Sequence, residues 1–360
     1  MISIAKRLEK VFKKAEVDSA VVMNTQDKDS NFVYLTGLYG GSFEGSVLVA
    51  NRRKATLLTS ILEYEVALDR RPGEVEVVAV KGRKESLRLL RSLLEGKSVG
   101  VSGNFLPYNY YVALKKAARP KRMADISSAF AAARQVKEAD EIERIGIANN
   151  IVKKAFSDIE GHLEEGVTER QVAGTFDNAM RRYGADSPSF NTIVCFGANA
   201  AVPHHVPTNA KLPANSLVLI DAGARYMGYC SDVTRTFIFK PDRSTQKYRR
   251  MSMMHETVAR AQQDAFDKVR EGAYADTIHK IAAARIDTNY NGMFKGTFIH
   301  ALGHSVGIDV HDGPGFSPGE HYRLKEGMVI SNEPGVYIKG FGGVRIEDDL
   351  LVMKNGARYL

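Results

Sequence analysis

The sequence predicts a two-domain protein of the α/β (α+β) class. A smaller α/β domain spans residues 1–130, and a larger domain with an internal pseudo-twofold repeat spans 131–360. Three observations carry this. The chain has 360 residues, more than one domain of ordinary size needs. Short apolar runs alternate with helical patterns up to about Ala124. Beyond that, two helices followed by strands occur twice, with Glu165-Gly166 in one round matching Glu271-Gly272 in the other.

In the first domain, "KRLEKVFKK" is the solvated face of a helix with Ile4, Leu8, Val11 and Phe12 inside. "SAVVMN", "NFVYLTG", "GSVLVAN" and "KATLLTS" read as strands. "ESLRLLRSLLEG" reads as a helix closed by Gly96. The second domain opens with a long helix from Glu138 to Leu163, with Ile142, Ile145, Ile151 and Phe156 inward. Thr168 and Gln171 form a capping box for the next helix. Strands run to Phe239, and a helix follows from about Ser244. A second helical segment lies in 270–292, and strands extend from about Thr297 to Met353.

The net charge is +8, but Lys and Arg are spread over the chain beside acids, so no nucleic-acid partner is expected. Two cysteines, Cys195 and Cys230, make no disulfide framework or CxxC site, which suits a reducing compartment. "MISIAKRLEK" lacks the apolar core of a signal peptide, and no apolar run reaches membrane-spanning length. A cytoplasmic protein without a membrane partner is the expectation.

The chemistry lies in acids set within apolar strands. "VLIDAGARYMGYCSDVTRTFIF" carries Asp221 and Asp232. A reversal between Tyr226 and Met227 would oppose them on one face, with Cβ atoms roughly 5 Å apart. "MVISNEPGVYIKGFGGVRIEDDLLV" repeats the pattern: a turn centred on Gly340 sets Glu333 opposite Glu347. The neighbouring Asp348 and Asp349 read as a solvated run. Burying four carboxylates together is costly unless cations neutralise them. Arg235 and Arg345 could do part of this, and hard divalent ions with an imidazole would do it better. Three of the nine histidines, His300, His304 and His311, fall within twelve residues of a glycine-rich, strand-like stretch. His204 and His205 precede the first hairpin, and on extended backbone only one of them can face the site.

"IDAGARYMGYCSDVTRT", "GHSVGIDVH", "NEPGVY" and "GVRIED" resemble the pita-bread metallopeptidases, the family of methionine aminopeptidase, aminopeptidase P and prolidase. "NFVYLTGLYGGSFEGSVLV" resembles the creatinase-type N-terminal domain of its proline-specific branch. The resemblance implies a metal-dependent exopeptidase that hydrolyses the Xaa-Pro bond of a dipeptide or short peptide. It implies two divalent ions per subunit, Mn2+ or Co2+, with Zn2+ as the alternative. The ligands would be Asp221, Asp232, His304, Glu333 and Glu347, with Asp232 and Glu347 bridging both ions. A bridging hydroxide would attack the carbonyl, with Glu333 as proton shuttle. His204 and His311 would hydrogen-bond substrate, and Arg345 with Thr234 and Thr236 would orient the ligand carboxylates. Arg323 is the candidate cation for a dipeptide's free carboxylate, because Gly315 stands where prolidases often offer an arginine. An Xaa-Pro dipeptidase is the expected activity, with aminopeptidase P as the alternative and a non-catalytic binding protein as the outside one. A homodimer is the assembly the resemblance implies.

Overall fold

The structure, a computed structural model, describes residues 3–25 and 28–360. The chain forms two compact units, Met1–Arg134 and Gln135–Leu360. Among the described residues, no helix is long and apolar enough to cross a membrane.

In the first unit, strands β1 (Ser19–Met23), β2 (Val47–Ala50), β3 (Ala55–Ser60), β4 (Val75–Val80), β5 (Ser98–Val101) and β6 (Arg122–Asp125) form one sheet. Their order is β4-β3-β2-β1-β5-β6, and only β2 runs antiparallel to its neighbours. The helices are α1 (Ile4–Phe12), α2 (Ser30–Thr36), α3 (Ile61–Arg70), α4 (Arg83–Leu94), α5 (Tyr108–Ala118) and α6 (Ser127–Gln135), which ends at the division. α1 buries Ile4, Leu8, Val11 and Phe12, as their spacing predicts, and adds Arg7. The Arg7 guanidinium lies 4.6 Å from the Tyr34 ring centroid and donates to the Tyr34 carbonyl.

"NFVYLTG" is not the expected strand; most of it lies in helix α2. Asp29 caps it by accepting from Asn31 N at 2.8 Å, and Gly37 ends it in the left-handed region at φ 69°. Every residue of α2 is buried. A short helix buried all round has no amphipathic stripe, so its apolar run looks like a strand.

In the second unit, α7 (Ala139–Ile159) and α8 (Glu169–Arg182) precede β7 (Ser187–Pro188), β8 (Ile193–Phe196), β9 (Ser216–Ala222), β10 (Ala224–Tyr226), β11 (Tyr229–Cys230) and β12 (Val233–Phe239). Then α9 (Gln246–Phe266) and α10 (Ala275–Gly292) precede β13 (Val329–Asn332), β14 (Gly335–Ile338), β15 (Gly342–Arg345), β16 (Asp348–Met353) and β17 (Gly356–Tyr359). The principal sheets, β12-β9-β8 and β13-β16-β17, each have their own apolar core. One contains Val152, Phe176 and Ile220, the other Met254, Ile278 and Ile330. The Thr168 capping box is present as expected.

The repeat extends to individual hydrogen bonds. Gly166 donates to the Leu212 carbonyl, and Gly272 to that of Leu324. Thr168 bridges Lys211, and Tyr274 bridges Arg323 in the matching place. One expectation fails here. The strands expected from Thr297 begin only at Val329. Residues 297–328 are irregular backbone tied down by single bridges, Gly303 to Phe316 and Ser305 to Ile330. Their glycines permit close approach. A Cβ at Gly303 would lie 1.9 Å from the Ser331 carbonyl oxygen, and one at Gly315 would lie 2.1 Å from that of Gly303.

Candidate active site

Two hairpins present the acids. In the first, Asp221 on β9 pairs with Thr234 on β12, not with Asp232. The reversal lies at Met227 and Gly228, both with positive φ (48° and 84°), and Tyr226 pairs with Tyr229. This two-residue turn has the twist that hairpins favour. It moves the partner of Asp221 by two residues, which preserves the face, so Asp232 is a diagonal neighbour of Asp221. In the second, Asn332 pairs with Asp348 and Gly335 with Arg345. That single register sets Glu333 opposite Glu347, centred on Gly340 as the sequence predicts. Pro334 falls in the break between the two ladders, where its missing N–H costs no pairing.

Asp221, Asp232, His304, Glu333 and Glu347 line one cavity of about 630 Å³. Single ligand atoms of Asp232, His304 and Glu347 lie within 4.8 Å of one another. His304 Nε2 is 3.4 Å from Asp232 Oδ2 and 3.5 Å from Glu333 Oε1. His304 Nδ1 is 3.0 Å from the Val310 carbonyl oxygen. An Nδ1–H donated there turns the Nε2 lone pair toward the acids, the arrangement of a metal-ligating imidazole. His204 and His311 line the same cavity, and the His311 ring meets that of His304 edge to face at 4.1 Å. His205 turns away, with Nε2 2.9 Å from Glu169 Oε2.

Arg345, 3% exposed, ties the two hairpins together. It donates to Asp221 Oδ2 at 2.5 Å, to Thr234 Oγ1 at 3.2 Å and to Tyr337 Oη at 2.8 Å. Thr234 Oγ1 donates to Glu347 Oε2 at 2.6 Å, and Thr236 Oγ1 to the Arg345 carbonyl at 2.8 Å. Sequence reasoning missed further supports. Asp348 and Asp349 are buried, not solvated. Asp348 pairs with Arg235 at 2.6 Å, whereas Asp349 accepts from Asn149 Nδ2 at 2.8 Å and from Asp232 N at 3.0 Å. Strand alternation from Glu347 puts Asp349 on the same face, the one signal that could have found it. Tyr337 also binds His300 Nε2, at 2.8 Å.

The electrostatics are those of anions crowded out of water. Burial pushes the Glu333 carboxyl up to about 7, against the pull of His304 and Arg345. Burial, then the neighbouring carboxylates, push Asp232 and Glu347 well above the usual range. One oxygen each of Asp221, Asp232 and Glu347 is buried without a hydrogen-bond partner. Such oxygens are costly unless a cation takes them. A donor set of carboxylates with one imidazole fits a hard divalent ion.

Arg323 is not brought to this cavity. Its guanidinium donates to the Gly272 carbonyl at 3.1 Å and to Tyr274 Oη at 2.8 Å, and stacks 4.3 Å from the Tyr274 ring centroid. The repeat explains this, since Arg323 holds the structural place that Lys211 holds in the first half. Nor can a side chain at position 315 substitute without moving backbone, given the approach of Gly303. Cys230 is buried, and its thiol donates to the Ile308 carbonyl at 3.2 Å.

Residues 143–354 match Metallopeptidase family M24, and residues 5–136 match the Creatinase/Prolidase N-terminal domain. The chain is 33% identical over 355 residues to an Xaa-Pro dipeptidase of Pyrococcus horikoshii, spanning 99% of this chain and 95% of that protein. A prolidase structure from Pyrococcus horikoshii OT3 matches with TM-score 0.86 at 32% identity, covering 99% of this chain and 97% of that one. An X-Pro aminopeptidase structure from Thermotoga maritima MSB8 matches with TM-score 0.87 at 26% identity, covering 97% of each chain.

Proposed function

The chain belongs to metallopeptidase family M24, and from that premise we propose that it is a metal-dependent Xaa-Pro dipeptidase. The observation that carries the reading is the cluster of buried carboxylates with unpartnered oxygens beside the Nε2 of His304. Asp221, Asp232, His304, Glu333 and Glu347 would hold two divalent ions, Mn2+ or Co2+, with Zn2+ as the alternative. Ions bound there supply hydroxide near neutral pH by lowering the pKa of water, and they polarise the scissile carbonyl. Glu333 takes the proton of the attacking water and delivers it to the leaving proline nitrogen. His204 and His311 donate hydrogen bonds to the substrate carbonyl as its oxygen gains charge. Arg345 and Thr234 hold Asp221 and Glu347 in place through the bonds described above. A cytoplasmic homodimer completes the proposal, and the two free buried thiols accord with a reducing compartment. Sedimentation tests the dimer.

A second reading, an Xaa-Pro aminopeptidase acting on longer peptides, has one observation in its favour. Arg323 is engaged by Gly272 and Tyr274 and so is not free to meet a dipeptide's carboxylate. A peptide series run with Mn2+, Co2+ and Zn2+ in turn decides between them. The dipeptidase reading expects Xaa-Pro to be cleaved faster than Xaa-Pro-Yaa; equal or faster tripeptide cleavage supports the second. Glu333→Gln is expected to lower kcat by about 10²–10⁴-fold with the fold intact. Retained turnover would remove Glu333 from its role.

A further inference from the structure

Glu169, the first residue of α8, is fully buried, and five donors surround its carboxylate. Oε1 accepts from Phe196 N and Asn199 Nδ2, both at 2.9 Å. Oε2 accepts from Thr208 N at 2.9 Å and Thr208 Oγ1 at 2.7 Å, and lies 2.9 Å from His205 Nε2. A carboxylate offers about four lone-pair positions, so this one is saturated. Burial alone would raise its pKa; the bonds from His205, Thr208, Asn199 and Phe196 outweigh that and hold the group below the usual range.

The donors come from the two ends of one loop. Phe196 and Asn199 lead into it, and His205 and Thr208 lead out. Between them, Pro203 and His204 form cavity wall. Among the described residues, no hydrogen bond holds the His204 ring itself. Its place is therefore inherited from the loop backbone. That backbone also packs on β15, where a Cβ at Gly343 would come 1.9 Å from the Ala200 carbonyl oxygen.

We infer that Glu169 is the positioning residue for His204: its carboxylate staples both ends of the 196–208 loop and so sets where the imidazole enters the cavity. The inference rests on the reading of His204 as a substrate-facing group. Glu169→Gln keeps the size but turns one acceptor into a donor. We expect it to lower kcat/KM for an Xaa-Pro dipeptide about ten- to a hundredfold, as a displaced catalytic contact does, with divalent-ion content unchanged. Combined with His204→Ala, it should cost nothing further, because both changes remove one contribution. Losses that multiply, or a fall in bound metal, would overturn the assignment. A second arm needs no substrate. The imidazole NMR signal of His204, assigned by its absence in His204→Gln, should shift in Glu169→Gln while those of His304 and His311 stay. An unmoved His204 signal overturns the inference. If the wild type cleaves no Xaa-Pro peptide, the substrate reading fails while this arm still decides. Should Glu169→Gln not fold, Thr208→Val removes the Oγ1 donor, together with the acceptor of Ala210 N, and must shift the same signal.

Discussion

Arg345 donates to Asp221, Thr234 and Tyr337 at once, three partners that its planar fork can reach from one rotamer. A lysine offers a point charge and cannot span them. Arg345→Lys is therefore expected to weaken divalent-ion affinity about 10–100-fold, measured by calorimetric titration. Unchanged affinity would show that Asp221 needs no such support. At this scale the sequence was most legible. The four hairpin acids, His304, His204 and His311 line one cavity, and they were conspicuous beforehand as carboxylates set among apolar runs and as clustered imidazoles. Arg323 does not line that cavity, and sequence spacing does not reveal that its guanidinium is engaged by Gly272 and Tyr274.

Helix α2 is an element that periodicity misread, and its cap carries a testable charge. Burial raises the Asp29 carboxyl from 3.8 to about 6. The folded chain thus holds this proton more tightly than the unfolded one. Stability from the group is complete below about pH 4 and is lost as pH rises through about 6, a change on the order of 3 kcal/mol. Asp29→Asn retains an N-cap residue and removes the titration. Urea midpoints should show the variant gaining on the wild type between about pH 4 and about pH 7. A constant difference would mean that Asp29 stays ionised when folded. The hairpins teach a related lesson. Gly340 marked the second turn correctly, whereas in the first the two-residue turn at Met227 and Gly228 displaced the partner of Asp221 by two positions. The face survived because side-chain direction repeats every two residues.

Across the second unit, Lys137 and Asp312 form an ion pair at 3.2 Å with side chains only 1% and 2% exposed. Lys137 Nζ also lies 3.2 Å from Ser305 Oγ, so it joins the start of the unit to the irregular stretch that carries His304 and His311. Lys137→Met would take the Lys137 cation away from the buried Asp312 carboxylate. The expected loss is about 3–5 kcal/mol in the unfolding free energy, read from denaturant unfolding. A loss below about 1 kcal/mol, typical of surface pairs, would show that water reaches the pair. The halves of this unit are related by the repeated bonds at Gly166 and Gly272, and both line the cavity with acids and histidines, Asp221, Asp232 and His204 from one half and Glu333, Glu347 and His304 from the other.

By itself, the sequence determined the class of fold, the repeat, the family and the acids and histidines that line the cavity. These are local matters of residue type, alternation and spacing, which a chain displays before it folds. Only the tertiary structure decided which supports those residues have. Asn149, Asp349, Tyr337 and Glu169 act on residues eight to two hundred positions away. It also decided that 297–328 is irregular backbone wedged against β13, because packing rather than propensity holds that stretch in place. Burial was equally unreadable in advance, since Asp348 and Asp349 look solvated until Arg235 of β12, Asn149 of α7 and the backbone of Asp232 meet them.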